Sequence, residues 1–199
     1  MPQSDVALLK KNIGRYILLD DDEQSYFSSL LVHKELSRKT FLLREGELCN
    51  TINYVQSGAL RAFYIDRDGK DFTIMFAIRD WWVTDMYSFA NRKPAMQHIV
   101  AIEESLVWQL PRDHFDKLVT RIPKFEKYFR IIFQNAYIRE QIRVLQNLSL
   151  SAEERYDHFI DKYPQLIPHV TQKQIASYLG ISPEFLSVLR KKKTGKKIS

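Results

Sequence analysis

The spacing of apolar residues changes twice along this chain, and that double change restricts the fold more than any other feature. Between residues 39 and 110 the apolar side chains come in short runs rich in β-branched and aromatic residues, punctuated by turn formers. Before and after that block they recur at steps of three and four. Short runs belong to strands and the 3.6-residue period to helices, so the chain must place a sheet between helical flanks. Segregated strands and helices define an α+β protein.

Within the middle block, TFLLREGEL is a short apolar run that turns at Gly46, and NYVQSGALRAFYID and KDFTIMFAI flank Arg67-Asp68-Gly69. Asp68-Gly69 supplies the backbone of a tight hairpin, with arms expected at 59–66 and 71–78. Two further runs lie around 81–83 and across 98–110. Many short strands with turns between them predict an antiparallel sheet that closes or folds over on itself.

The N-terminal flank, up to residue 38, reads as short helices. Val6, Leu9 and Ile13 share one face, with Gly14 as a stop, and Asp22 is the expected cap of a second helix carrying Tyr26, Phe27, Leu30 and Leu31. After the sheet block, Pro123 suits the start of a long helix. Its positions Tyr128, Ile131, Ile138, Ile142 and Leu145, with Asn135 in the one gap, form a heptad seam with a single polar member. That is the pattern of a helix that pairs with a copy of itself. Phe125, Phe129, Phe133 and Ala136 make a second apolar face for packing on the sheet region. A core helix inside a monomer is the alternative.

The C-terminal flank carries the sharpest motif. Ser151 to Glu154 is a capping box, and a helix with Tyr156, Phe159, Ile160 and Tyr163 runs to Pro164. Thr171 and Gln174 form a second box. Ile175, Ala176 and Leu179 face inward, Gly180 stops that helix, and Ser182 caps the next, with Pro183 in its first turn. Two short helices joined by a tight glycine turn make a helix-turn-helix. Leu186 and Leu189 would face inward, with Glu184, Phe185, Ser187, Val188 and Arg190 outward. The chain's net charge is +6, and residues 170–199, with seven basic residues and one acid, account for all of it. A neutral body with a basic end suggests a polyanionic partner, against the alternative of a solvated tail.

Several classes fall away. A single cysteine, Cys49, leaves no disulfide framework, Cys-based zinc finger or cysteine-held iron–sulfur cluster within one chain. The five histidines show no ligand spacing, so neither metal nor cofactor is assigned. No P-loop, nucleophile elbow or His-x-x-x-His pair is present, and the expectation is a protein that is not an enzyme. No stretch approaches the roughly 20 apolar residues that cross a bilayer, and the N-terminus lacks a signal pattern, so no membrane contact and a cytoplasmic location are expected.

The order of β-rich block, pairing helix and helix-turn-helix resembles the cyclic-AMP receptor protein/Fnr (Crp/Fnr) family of bacterial transcription regulators, especially its short members common in Bacteroidetes. The phrases YVQSGALRAFYIDRDGKDFT, DWWVTDMYSFANRKPAMQHIVAIEES and TQKQIASYLGISPEFLSVLRKK carry the likeness. The resemblance implies a cyclic-nucleotide-binding-type β-roll (a jelly roll) over 1–122, a dimerisation helix over 123–148 and a DNA-binding domain over 149–199. It implies a homodimer on an inverted-repeat operator in double-stranded DNA, with RNA polymerase as a candidate further partner. The DNA-facing set would be Thr171, Gln172, Lys173, Ser182, Glu184, Phe185, Ser187, Arg190, Lys191, Lys192 and Lys193. The dimer seam would be Tyr128, Ile131, Asn135, Ile138, Ile142 and Leu145.

The chain departs from the family pattern at the effector pocket, which maps to Arg61, Thr84, Asp85, Met86, Ala95 and Gln97. Nucleotide-binding members hold the ribose with a Glu and the cyclic phosphate with an Arg. Here Asp85 and Ala95 stand at those positions. A guanidinium is the main neutraliser of a buried phosphate, so the phosphate site reads as degenerate, with Arg61 or Arg92 as candidate substitutes. The expected effector is an unknown small molecule or none. The recognition helix also departs, because Phe185 and Val188 occupy positions where family members carry polar residues or Arg, and the chain leaves no room for the usual following β-wing. A ligand-sensing or protein-interaction module with a degenerate helix-turn-helix is the alternative.

Overall fold

The computed structural model describes residues 6–196, with side chains as far as Lys193. Two N-terminal helices, α1 (Ala7–Gly14) and α2 (Asp21–Ser29), precede strands β1 (Val32–Leu36), β2 (Phe41–Leu43), β3 (Thr51–Ser57), β4 (Ala59–Ile65), β5 (Asp71–Ile78) and β6 (Trp82–Val83). A one-and-a-half-turn helix, α3 (Met86–Asn91), leads to β7 (His98–Ala101) and β8 (Ser105–Pro111). Then follow α4 (Arg112–Arg121), α5 (Lys124–Ser149), α6 (Ala152–Lys162), a 3-10 turn at Pro164–His169, α7 (Gln172–Leu179) and α8 (Pro183–Lys196).

The strands form two antiparallel four-stranded sheets, in the orders β1-β8-β3-β6 and β2-β7-β4-β5. Ile52, Tyr54, Leu60, Ile99, Val107 and Leu110 are buried in the core they enclose. The β4–β5 hairpin turns where Asp68-Gly69 predicted, with Gly69 at φ 77°. Gly58 is needed for a different reason: it sits at φ 81°, and a Cβ there would collide with the Glu104 carbonyl and with Ser105. The 98–110 run is two strands, broken at a turn where the Ser105 hydroxyl accepts the Ala59 N–H at 3.1 Å.

Two expectations for the N-terminal flank need correction. Residues 32–36 are not helical but form β1, because strand pairing with β8 captures them. Asp20 rather than Asp22 caps α2, accepting the Glu23 N–H at 2.8 Å while the Glu23 carboxylate accepts the Asp20 N–H at 3.0 Å. A reciprocal box of this kind outcompetes a lone cap two residues on.

Helix α5 lies against the roll through Phe125, Tyr128 and Phe129, all buried. Tyr128 therefore leaves the expected pairing seam. The Trp82 indole N–H donates to its hydroxyl at 2.8 Å, and that hydroxyl donates to Asn12 Oδ1 at 2.7 Å. Asn12 in turn donates to Asp80 at 2.7 Å, as does Tyr54 at 2.6 Å, and Arg15 pairs with Asp80 at 2.8 Å. A polar chain thus bolts α1, β3 and α5 together. Burial pushes the Asp80 carboxyl up, but the hydrogen bonds from Tyr54, Asn12 and Arg15 outweigh it and hold the group below the usual carboxylate range.

Strand β5 is an edge strand, and an uncovered edge exposes backbone groups to mispairing. Here α7 and α5 cover it. The Thr73 N–H donates to Ser177 Oγ at 2.9 Å, and that hydroxyl lies 2.9 Å from the Asp71 carbonyl. A bulge between the pairs Ala62–Met75 and Phe63–Thr73 leaves Ile74 outside the ladder. The carbonyls of Thr73 (2.9 Å) and Ile74 accept from the Arg143 guanidinium. Arg143→Ala would leave those carbonyls without a donor, at roughly 1–3 kcal/mol for each buried group. Urea denaturation should show a stability loss of about 2–4 kcal/mol. An unchanged midpoint would mean that water replaces the guanidinium at no cost.

Candidate nucleic-acid interface and sensor cavity

The helix pair forms as its caps dictate. The Thr171 hydroxyl accepts the Gln174 N–H, Gly180 takes φ 69°, and the Phe185 N–H donates to Ser182 Oγ at 3.1 Å. Ile175, Ala176, Leu179, Leu186 and Leu189 are buried between the helices, with Ile181 packed at the turn. Ala176 is fully buried, and its carbonyl accepts the Ile181 N–H at 3.0 Å.

Most of the expected DNA-facing residues are exposed. Thr171, Gln172 and Lys173 are exposed at the start of α7, and Ser182, Glu184 and Phe185 at the start of α8. Val188, Arg190 and Lys191 are exposed further along α8, and Ser187 is half-buried. Hydrogen bonds from its own backbone N–H and from Ser182 hold the Glu184 carboxyl below the usual range, so it is an ionised acceptor at neutral pH. Two of the expected phosphate contacts turn elsewhere. Lys192 pairs with Glu153 at 3.6 Å, and Lys193 pairs with Asp157, both acids on α6. Lys197 lies outside the described residues.

Of the expected effector residues, Thr84, Asp85, Met86, Ala95 and Gln97 lie together, joined by the bonds from Gln97 to Thr84 and from Met96 to Asp85, and Arg61 lies apart. Asp85 is 3% exposed, and both of its oxygens are engaged: one accepts the Ser88 N–H at 2.9 Å as the cap of α3, the other the Met96 N–H at 3.0 Å. Both carboxylate oxygens of Asp85 are thus engaged within the chain. Ala95 is buried, and its N–H and carbonyl bridge to Glu47 (2.8 Å) and Gly46 (2.9 Å). Gln97 donates to the Thr84 carbonyl at 3.3 Å.

Neither candidate substitute reaches this cradle. Arg61 is buried on the far arm of the hairpin and clamps Asp71 with 2.7 and 3.3 Å contacts. It also donates to Thr73 Oγ1 at 2.7 Å and to Ser177 at 3.3 Å. That guanidinium holds the Asp71 carboxyl below its ordinary range. Arg92 is exposed, in a left-handed conformation at the end of α3.

The sizeable cavity, about 550 Å³, lies instead between α5 and the β5–β6 corner of the roll. Of the expected residues only Thr84 and Met86 line it, joined by Ile74, Met75, Trp81 and Trp82 from the roll and by Phe133, Ala136, Arg139 and Glu140 from α5. Arg15 and Asp80 supply a charged corner. Sequence reasoning missed these lining residues, and the one available signal was polar Asn12 on an otherwise apolar helical face. On α5 itself Ile131 is half-buried, Asn135 faces the cavity, and Ile138, Ile142 and Leu145 remain an exposed apolar stripe together with Leu148. Among the described residues no group of three or more metal-ligating side chains gathers, and no helix is long and apolar enough to cross a membrane.

Comparison with known proteins agrees with this architecture. The cyclic nucleotide-binding domain family matches residues 33–121. The chain is 23% identical over 186 residues to the anaerobic regulatory protein of Haemophilus influenzae, covering 86% of this chain and 70% of that one. Among solved structures, FixK2 from Bradyrhizobium japonicum superposes with a TM-score of 0.75 at 15% identity, covering 84% of this chain and 86% of its own. A crp/fnr-family regulator from Eubacterium rectale gives 0.69 at 15% identity, covering 89% and 85%.

The internal engagement of Asp85 and the alanine at position 95 have a direct consequence. Cyclic AMP titrated calorimetrically should give no saturable binding in the micromolar range, and micromolar affinity would contradict the reading. Asp85→Ala, which strands two N–H donors, should cost about 2–3 kcal/mol of stability, and Asp85→Asn, which keeps an acceptor, distinctly less.

Proposed function

We infer that this chain, which belongs to the Crp/Fnr family of DNA-binding transcription regulators, works as a homodimer whose two α8 helices enter successive major grooves of an inverted-repeat operator. The observation that carries the inference is the exposed start of α8. There Ser182, Glu184 and Phe185 face solvent on a helix held rigidly by Leu186 and Leu189, with Arg190 and Lys191 following. In a helix-turn-helix on DNA the N-terminal residues of the second helix meet base edges and flanking cations meet phosphate.

The division of labour follows the fold: a sensor roll over 1–122, a dimerisation helix over 123–148 and a DNA-reading domain over 149–199. Support for pairing through α5 comes from the stripe Ile138, Ile142 and Leu145, which is uncovered in the single chain. With Tyr128 spent on the core, the seam begins at Ile131. The alanine at position 95, with Arg61 committed to Asp71, supports a regulator that does not respond to cyclic nucleotides.

An effector, if one acts, has a route to the DNA-reading part. The cavity is walled by β5 and α5, and Glu140 on its rim lies 3.5 Å from Arg143, which grips both β5 and α7. Displacing Glu140 would loosen or tighten that grip.

Ile138→Glu would place a charge in the middle of the seam. Sedimentation should show the dimer giving way to monomer, and affinity for an enriched duplex should fall by at least about a hundredfold as the second half-site is lost. An unchanged dimer would exclude this interface.

A further inference from the structure

We propose that α8 reads thymine methyl groups through Phe185 and Val188, so that each half-site is a pyrimidine-rich stretch pairing cytosine with neighbouring thymines. This rests on the DNA-binding reading above and assigns it a base chemistry. Phe185 is 46% exposed and Val188 61% exposed, one turn apart on the solvent face of α8. Exposed apolar side chains on consecutive turns gain nothing from water, and the buried side of the helix is already filled by Leu186 and Leu189.

The surroundings indicate what covers this face. Lys173 at the start of α7 and Arg190 and Lys191 on α8 are exposed cations on the same helix pair, which selects a polyanion over an apolar protein surface. Within a polyanionic duplex, the apolar group displayed in the major groove is the C5 methyl of thymine. Glu184, ionised and beside Phe185, would be repelled by phosphate but accepts from the N4 amino group of cytosine on the groove floor. Guanine requires a donor fork, and the first guanidinium on α8 is Arg190, two turns in.

The experiment uses the full chain and a random-sequence duplex library amplified with either thymidine or deoxyuridine triphosphate. Uracil keeps every hydrogen-bonding group of thymine and lacks only the methyl. Sequences enriched from the thymine library should be cytosine- and thymine-rich on one strand of each half-site. Remade with uracil, they should bind about fourfold more weakly for each contacted base, the value of one buried methyl. Phe185→Ala and Val188→Ala, both at exposed positions, should each shrink the thymine-to-uracil ratio while leaving salt-dependent binding to random duplex intact. Equal binding of thymine and uracil duplexes, with specific binding preserved, would overturn the methyl readout alone. Absence of salt-dependent binding to any duplex would overturn the DNA-binding reading and this proposal with it.

Discussion

Arg143 is the side chain on which the arrangement of the three parts depends. It projects from α5, donates to two carbonyls of the β5 edge, reaches the Tyr178 carbonyl of α7 at 3.4 Å and stacks over the Tyr178 ring at 4.3 Å. An edge strand with a bulge has backbone groups that must find partners, and the chain supplies them from the pairing helix and the helix-turn-helix. Ser177 completes the cover, with Arg61 and Asp71 locked behind it. The β5 edge of the roll is therefore also the seat of α7.

The same economy shapes the sensor. Asp85 spends both of its oxygens inside the chain, as the cap of α3 and as the acceptor of the Met96 N–H, and a buried alanine stands at position 95. The cavity beside α5 sets the aromatic walls Trp81, Trp82 and Phe133 against two charged pairs, Arg15 with Asp80 and Arg139 with Glu140.

Much of the fold was legible because local rules and tertiary packing agree. The Asp68-Gly69 hairpin, the caps at Ser151, Thr171 and Ser182, and the turn at Gly180 all stand where turn and capping chemistry puts them. The errors fall where a distant partner decides. Residues 32–36 carry no strong strand pattern and become β1 only by pairing with β8. Tyr128 fits a heptad by spacing, but its hydroxyl finds Asn12, which is 116 residues away. Of the site, the face of α8 was readable from periodicity. The fates of Lys192 and Lys193 were not, because acids on α6 claim them, nor was the cavity, whose walls come from four separate segments.

In the proposed dimer two α5 helices pair and set two recognition helices, which implies a fixed stoichiometry on DNA. The most direct test is the mass of the complex formed by the full chain on a duplex enriched from a random library, measured by sedimentation or light scattering. Two chains per duplex are expected, on half-sites about 34 Å apart, one helical turn. One chain per duplex, bound with full specificity to a single half-site, would contradict a dimeric reader built on α5.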